Sequence, residues 1–354
     1  MDLEYVIDRV REAFPVVDMY STPEGISFIL PLLQPDETRE AFKELATKLL
    51  KEGMVPKLYK SGGYLRLDVY RATMPYSKKG RVGKLALFAL TLITVLLSGW
   101  VISWGTLDLT RELGIPDPFD PLSMTVIHAI ALLSPLIVHE FGHMLASRRW
   151  GGEWEFPTFI PAPPAPLGFG TFGAIISSKK PVINRDELFD LGISGPLAGF
   201  FPGLIVGIMG MQTSIRLPPE SVAEISGKTS YMPIPLALLP FGGLTHDVIL
   251  LSPVGVAGAL VLLITFLNLL PVSQLDGGHV IYSLLGEPKY GIISWLAVLS
   301  GFLINPFLGV FLLIFNSMMK HPPPLDEYTP VSRERKVLGG AVYVMLLLLT
   351  MPIS

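Results

Sequence analysis

Leu85 to Leu107 is a run of 23 residues without one Asp, Glu, Lys or Arg. Coiled at 1.5 Å per residue, such a run reaches across the roughly 30 Å hydrocarbon core of a bilayer, so the chain is built around a membrane rather than a water-facing core. Further apolar stretches follow at about Pro121 to Ser147, Leu188 to Met211, Leu251 to Leu270, Ile292 to Asn305, Pro306 to Met318 and Val337 to Ile353. The two that meet at Asn305 are short and read as two spans or one interrupted pair. The expected fold is therefore a multi-pass α-helical membrane protein with about six to seven transmembrane helices. Lys78, Lys79, Arg81 and Lys84 precede the first span, while the net acidic set Asp108, Arg111, Glu112, Asp117 and Asp120 follows it. The positive-inside rule then places the N-terminal end in the cytoplasm.

Charge is concentrated ahead of that span. Residues 1–79 hold 24 of the 57 charged side chains, although the chain as a whole is 50% hydrophobic with a mean hydropathy of +0.52. A small soluble α+β domain is expected at 1–76. Leu3, Val6, Ile7, Val10 and Phe14 give its first helix one apolar face, and Pro35 and Asp36 start a second helix that Gly53 stops. β-like segments run over about Val16 to Tyr20, Gly25 to Leu33, Pro56 to Lys60 and Tyr64 to Arg71. The domain carries no catalytic pattern and reads as a regulatory or docking module. A membrane core over 77–285 and additional transmembrane helices over 286–354 complete the expected organisation.

Several classes are excluded. The formal net charge of −3 argues against a nucleic-acid partner, and the absence of cysteine removes disulfides, thiol catalysis and Cys-ligated zinc. Met1 to Glu12 mixes acids and bases without an apolar stretch, unlike a secretory signal or transit peptide. The expected location is a cell membrane, with the N-terminal domain cytoplasmic. Phe156 to Pro166 contains five prolines and is followed by Gly168 to Ile176, apolar but too rich in Gly for a lipid-exposed helix. A re-entrant loop or short strands tucked against protein are expected near 156–180, with a similar segment at Tyr231 to Gly243.

The second span carries His139-Glu140-Phe141-Gly142-His143. Four residues at 100° each bring both imidazoles to one helix face about one turn apart, which suits two ligands of one Zn2+. Glu140 then stands where a carboxylate acts as general base toward the attacking water. The setting sharpens the pattern, since a charge at the bilayer centre costs on the order of 3 kcal/mol and is seldom kept without a role. Two histidines leave a catalytic zinc one protein ligand short. Asp276 is a candidate, at the end of the fourth span in Asn268-Leu-Leu-Pro-Val-Ser-Gln-Leu-Asp-Gly-Gly-His279, where Pro271 breaks the helix and Gly277 and Gly278 permit a turn.

With His-Glu-Phe-Gly-His at 139–143, Asn-x-x-Pro at 268–271 and Leu-Asp-Gly at 275–277 in this order on different spans, the chain resembles the site-2 protease family of intramembrane zinc metalloproteases. The resemblance covers roughly residues 85–285. It implies that His139, His143 and Asp276 bind one Zn2+, that Glu140 activates water, and that Asn268 lies near the substrate peptide. The soluble head, the Gly-Thr-Phe-Gly-Ala segment and the Gln-Leu-Asp-Gly-Gly-His ending are similar to the plastid branch and its prokaryotic relatives, and without a transit peptide the resemblance implies the prokaryotic version. One departure is Gly199, where many members carry Asn.

Gly170, Thr171, Phe172 and Gly173 are candidates for an edge strand that holds an extended substrate. Gly192, Gly195, Gly199 and Gly203 recur at helical spacing and read as a packing face. His128 lies three turns from His139, too far to share a metal, and His279 follows Asp276 by three residues as a candidate supporting partner. His246 and His321 carry no usable signal. The reading is peptide-bond hydrolysis within membrane-protein substrates in the bilayer. The alternative is a divalent-metal transporter using the same His/Asp site. The sequence sets no oligomeric state.

Overall fold

Leu65, Leu67 and Val69 alternate with Tyr64, Arg66, Asp68 and Tyr70, and a strand patterned in this way has one dry face. The structure, a computed structural model, describes residues 3–71, 81–153, 156–175, 180–218, 220–221, 227, 231–242, 248–287, 289–318 and 321–353. Lys78, Lys79, His246 and the expected boundary at 76 lie outside the described residues. The chain divides into two compact units.

The first unit comprises residues 1–78, 179–192 and 271–340. Its N-terminal part runs α1 (Leu3–Ala13), β1 (Asp18–Ser21), β2 (Gly25–Leu30), α2 (Pro35–Lys51), β3 (Met54–Ser61) and β4 (Tyr64–Arg71). The strands form an antiparallel sheet in the order β1-β2-β4-β3. Its register sets Phe28 opposite Leu67 and Leu67 opposite Leu58, a row across the dry face, and all three are fully buried with Phe42 and Leu49 of α2. Burial of side chains of this size stabilises by about 1.5–3 kcal/mol each. Pro35 opens α2, the Glu37 carboxylate accepts from the Gln34 N–H at 3.3 Å, and Gly53 with φ +71° reverses the chain after it.

Distant segments complete this unit. Leu58 N–H donates to the Leu325 carbonyl at 2.8 Å and Glu327 N–H to the Leu58 carbonyl at 2.9 Å, so residues 325–327 cover the outer edge of β3. Leu325 and Asp326 also bond Val182 and Ile183, at 2.9 and 2.8 Å. Asp186 accepts from Arg39 at 2.8 Å and from Ser332 N–H at 2.7 Å, while Arg335 forks onto Asp190 with two bonds of 2.7 Å.

The second unit comprises residues 79–178, 193–270 and 341–354. Here α3 (Arg81–Glu112) packs on α4 (Pro121–Arg149), and the hairpin of β5 (Thr158–Pro161) and β6 (Thr171–Ile175) lies against α3 through Phe88 and Phe159, whose rings are 5.0 Å apart. The expected segment at 156–180 is thus a pair of short strands over its described part. The helix α5 (Arg185–Gln212) gives its last five turns to this unit. Then come β7 (Ile215–Leu217), β8 (Ile234–Pro235), β9 (Val248–Leu250) and α6 (Pro253–Asn268), with β7 pairing β9. Gly203, Gly207 and Gly210 of α5 face Val261, Leu238 and Gly255, a stripe of small residues that lets the helix lie close on α6.

Beyond a short helical stretch at Leu236–Gly242, the further helices among the described residues are α7 (Asp276–Leu285), α8 (Lys289–Ile304), α9 (Pro306–Met318) and α10 (Gly340–Thr350). A π turn at Arg335–Gly339 leads into α10. The last stretch expected to span, Val337 to Ile353, is shorter than that reading: Pro352 has no N–H to continue the helix, and β10 (Pro352–Ile353) pairs with β8 instead. Among the described residues α3, α4 and α5 are long and apolar enough to cross a membrane, whereas α6, α8 and α9 are apolar but shorter.

Candidate functional site

Pro121 at the first position of α4 and the Asp120 carboxylate, which accepts from Ser123 N–H at 2.8 Å, start the helix, and Arg148 and Arg149 end it. Between them His139 and Glu140 are buried, at 4% and 5% exposure, and His143 is half-buried. The two imidazole rings lie 4.9 Å apart with their Nε2 atoms at 3.2 Å. Two nitrogens about 2.0–2.1 Å from one zinc at a tetrahedral angle are separated by about 3.3 Å, so this pair has the spacing of two ligands.

The latter part of α5 forms the floor. A Cβ at Gly199 would stand 2.8 Å from His139 Cβ, one at Gly195 would collide with the His143 ring, and one at Gly142 would stand 2.8 Å from Ala198 Cβ. The glycines are thus the space the imidazoles occupy. Nitrogen donors of a type that zinc prefers, held in a cradle that a methyl would fill, fit the ion the sequence calls for.

Asn268 is the last residue of α6 and half-buried. Pro271 cannot bond the Leu267 carbonyl, which accepts instead from Leu270 N–H at 3.2 Å, and the helix ends. Tyr343 of α10 donates to the Leu269 carbonyl at 2.8 Å. In the first unit, Ser273 takes φ +47° and Tyr290 donates to its carbonyl at 3.1 Å. A Cβ at Gly278 would collide with that carbonyl, so glycine there lets the loop close on α7. Asp276 is the first residue of α7 and half-buried. The spacing of Tyr290 and Tyr343 in apolar helices gave no sign of these bonds.

Gly170 turns at φ +84° where a Cβ would lie 2.7 Å from the Thr94 carbonyl, and Thr94 Oγ1 donates to the Gly170 carbonyl at 2.6 Å. Thr171 is buried and its Oγ1 accepts from Gly173 N–H at 3.0 Å, whereas Phe172 is 66% exposed. The sheet has two strands among the described residues. His128 is fully buried and, because a carbonyl can only accept, its Nδ1 donates to Pro253 at 2.8 Å.

Residues 127–304 match peptidase family M50. The chain belongs to peptidase family M50. That is a membrane-embedded family. Among relatives, the Arabidopsis thaliana protein named "Probable zinc metalloprotease EGY1, chloroplastic" is 27% identical over 262 residues, covering 67% of this chain and 46% of that protein. The Arabidopsis "Probable zinc metalloprotease EGY2, chloroplastic" is 28% identical over 288 residues, 77% of this chain and 48% of that protein. The Oryza sativa subsp. indica protein of the same name is 29% identical over 248 residues, 67% and 44% of the two chains. The M50 chain spans about half the length of these relatives. No solved structure matches it. The plastid resemblance read from the motifs agrees with these relatives. The expected prokaryotic cell membrane with a cytoplasmic N-terminal domain does not: the matched proteins are plant proteins named as chloroplastic, and that placement is withdrawn.

Proposed function

We propose that this M50 protein is an intramembrane endopeptidase that hydrolyses peptide bonds in or near transmembrane segments of membrane-protein substrates. The observation that carries the reading is the His139–His143 pair with Nε2 atoms 3.2 Å apart and Glu140 buried beside it, on a helix long and apolar enough to span. His139, His143 and Asp276 hold the zinc. The ion, when bound, polarises the scissile carbonyl and makes water nucleophilic near neutral pH. Glu140 takes the proton of the attacking water and delivers it to the leaving amine.

The substrate helix unwinds locally before cleavage, because its carbonyls are otherwise engaged in i to i−4 bonds. Gly170 to Gly173 receive the unwound segment as an added strand along β6, with Asn268 bonding its backbone. About six to seven crossings surround the site, and the sheet domain at 1–76 serves regulation or docking ahead of a core over 77–285 and added helices over 286–354.

The test is cleavage of a single-span model substrate by detergent-purified protein, with zinc and after chelation. Only the metal-loaded sample is expected to cut. The competing transporter reading needs a polar route past the metal. Its stepping stone would be His128, and enclosure of that ring against Pro253 weighs against it. Zinc uptake by liposomes containing the protein, without cleavage of any tested substrate, would reverse the preference.

A further inference from the structure

His321 lies beyond the residues matched to M50, in the connection after α9. Its ring is stacked on Tyr282 at 4.4 Å and 7°, with Tyr290 and His279 edge-on at 5.3 and 4.8 Å. His321 Nε2 is 2.8 Å from His279 Nδ1, so one donates to the other. The His321 Nδ1 atom has no partner among the described residues, which leaves the stack and the bond to His279 to set the ring's orientation. Four residues on, Leu325 is tied to Leu58 and Val182, so the chain carrying the ring is anchored.

His279 is three residues after Asp276 on α7, hence on the same face of its first turn. That turn is confined from α5 as well: a Cβ at Gly192 would stand 2.8 Å from the Asp276 carbonyl oxygen and 2.9 Å from His279 Cβ. The loop entering the turn is held by the same aromatic group, because Tyr290, one wall around His321, also bonds the Ser273 carbonyl at 3.1 Å. Ser273 is left-handed at φ +47°, a conformation that persists only where its surroundings fix it.

We infer that His321 is a positioning residue for Asp276: through His279 it fixes the rotation of the first turn of α7, and with Tyr290 it fixes the entry to that turn. The inference rests on the reading of Asp276 as a zinc ligand. Partners behind a metal ligand are worth about 10–100-fold in metal affinity. His321 does this from outside the residues that define the family.

The experiment is the zinc dissociation constant of the full chain in detergent, by competition with a chelator, for wild type, Asp276→Ala, His321→Phe and His321→Gln. His321→Phe keeps the stack on Tyr282 and deletes the nitrogen, so about 10–100-fold weaker binding is expected, with an unchanged melting temperature. His321→Gln, whose amide can still bond His279, is expected to stay close to wild type. His321→Phe with wild-type affinity overturns the inference, as does His321→Gln as weak as the phenylalanine variant. If His321→Phe fails to fold, His279→Phe removes the other nitrogen, and wild-type affinity there overturns it equally. Asp276→Ala with wild-type affinity would instead sink the zinc-ligand reading, whatever the histidine variants do.

Discussion

Gly199 of α5 lies directly beneath His139 of α4, so that a methyl added there would stand 2.8 Å from the histidine Cβ. Gly199→Ala must push the helices apart or turn the ring, and overpacking of this kind costs about 1–3 kcal/mol. The variant is expected to melt at a lower temperature and to hold less than one zinc per chain. Full occupancy with unchanged melting would show that the contact is slack.

Glu140→Gln keeps the shape and burial of the side chain and removes its basicity. Cleavage of a single-span substrate should fall by about 10²–10⁴-fold, the usual contribution of general acid–base catalysis. Zinc content should not change, since the His139 and His143 nitrogens are untouched. A glutamine variant that cuts at the wild-type rate would remove Glu140 from the chemistry.

Thr94→Val deletes the hydroxyl that bonds the Gly170 carbonyl at 2.6 Å and keeps the side chain's size. One hydrogen bond is worth about 1 kcal/mol, so β6 is released at one end by a factor of about five. kcat/KM for a helical substrate is expected to drop by that order while zinc affinity holds. Equal loss on a short, already extended peptide would argue against β6 as the strand that receives substrate.

Asp326 is fully buried, its Oδ1 accepts from Tyr328 and Thr329 N–H at 3.0 and 2.8 Å, and its Oδ2 has no partner among the described residues. Burial raises its pKa above the ordinary 3.8 and outweighs the hydrogen bonds that lower it. A folded pKa above the unfolded one means that the contribution is fully present below about pH 3.8 and is lost as pH rises through the folded value. Asp326→Asn keeps an acceptor at Oδ1 and carries no charge. Melting curves from pH 3.5 to 8 should therefore flatten, with the variant at least as stable as wild type at neutral pH. A variant destabilised equally across that range would show that the carboxylate is held for a bond rather than tolerated as a charge.

What the sequence disclosed was whatever is periodic or chemically rare. Tyr64 to Arg71 appears as a strand with the bounds its alternation suggests, and the four-residue spacing of His139 and His143 puts both rings on one face because the helix repeat leaves no other choice. The glycines of α5 were legible as packing, but not that two of them form the floor under the histidines. Tyr290, Tyr343 and His321 were silent, since an aromatic residue in an apolar stretch looks the same whether or not its polar atom holds a loop. The closing of β3 by Leu325 was equally hidden, because pairing between residues so far apart leaves no local pattern.

That last pairing orders events during synthesis. When β3 leaves the ribosome its outer edge is bare, and Leu325 and Glu327 exist only after α3, α4 and α5 have been made. An uncovered edge strand invites pairing with any extended chain nearby. The β1–β4 sheet is closed only once residues 325–327 are made, and a nascent chain stopped between β4 and residue 325 presents a sticky edge for as long as it stays stalled.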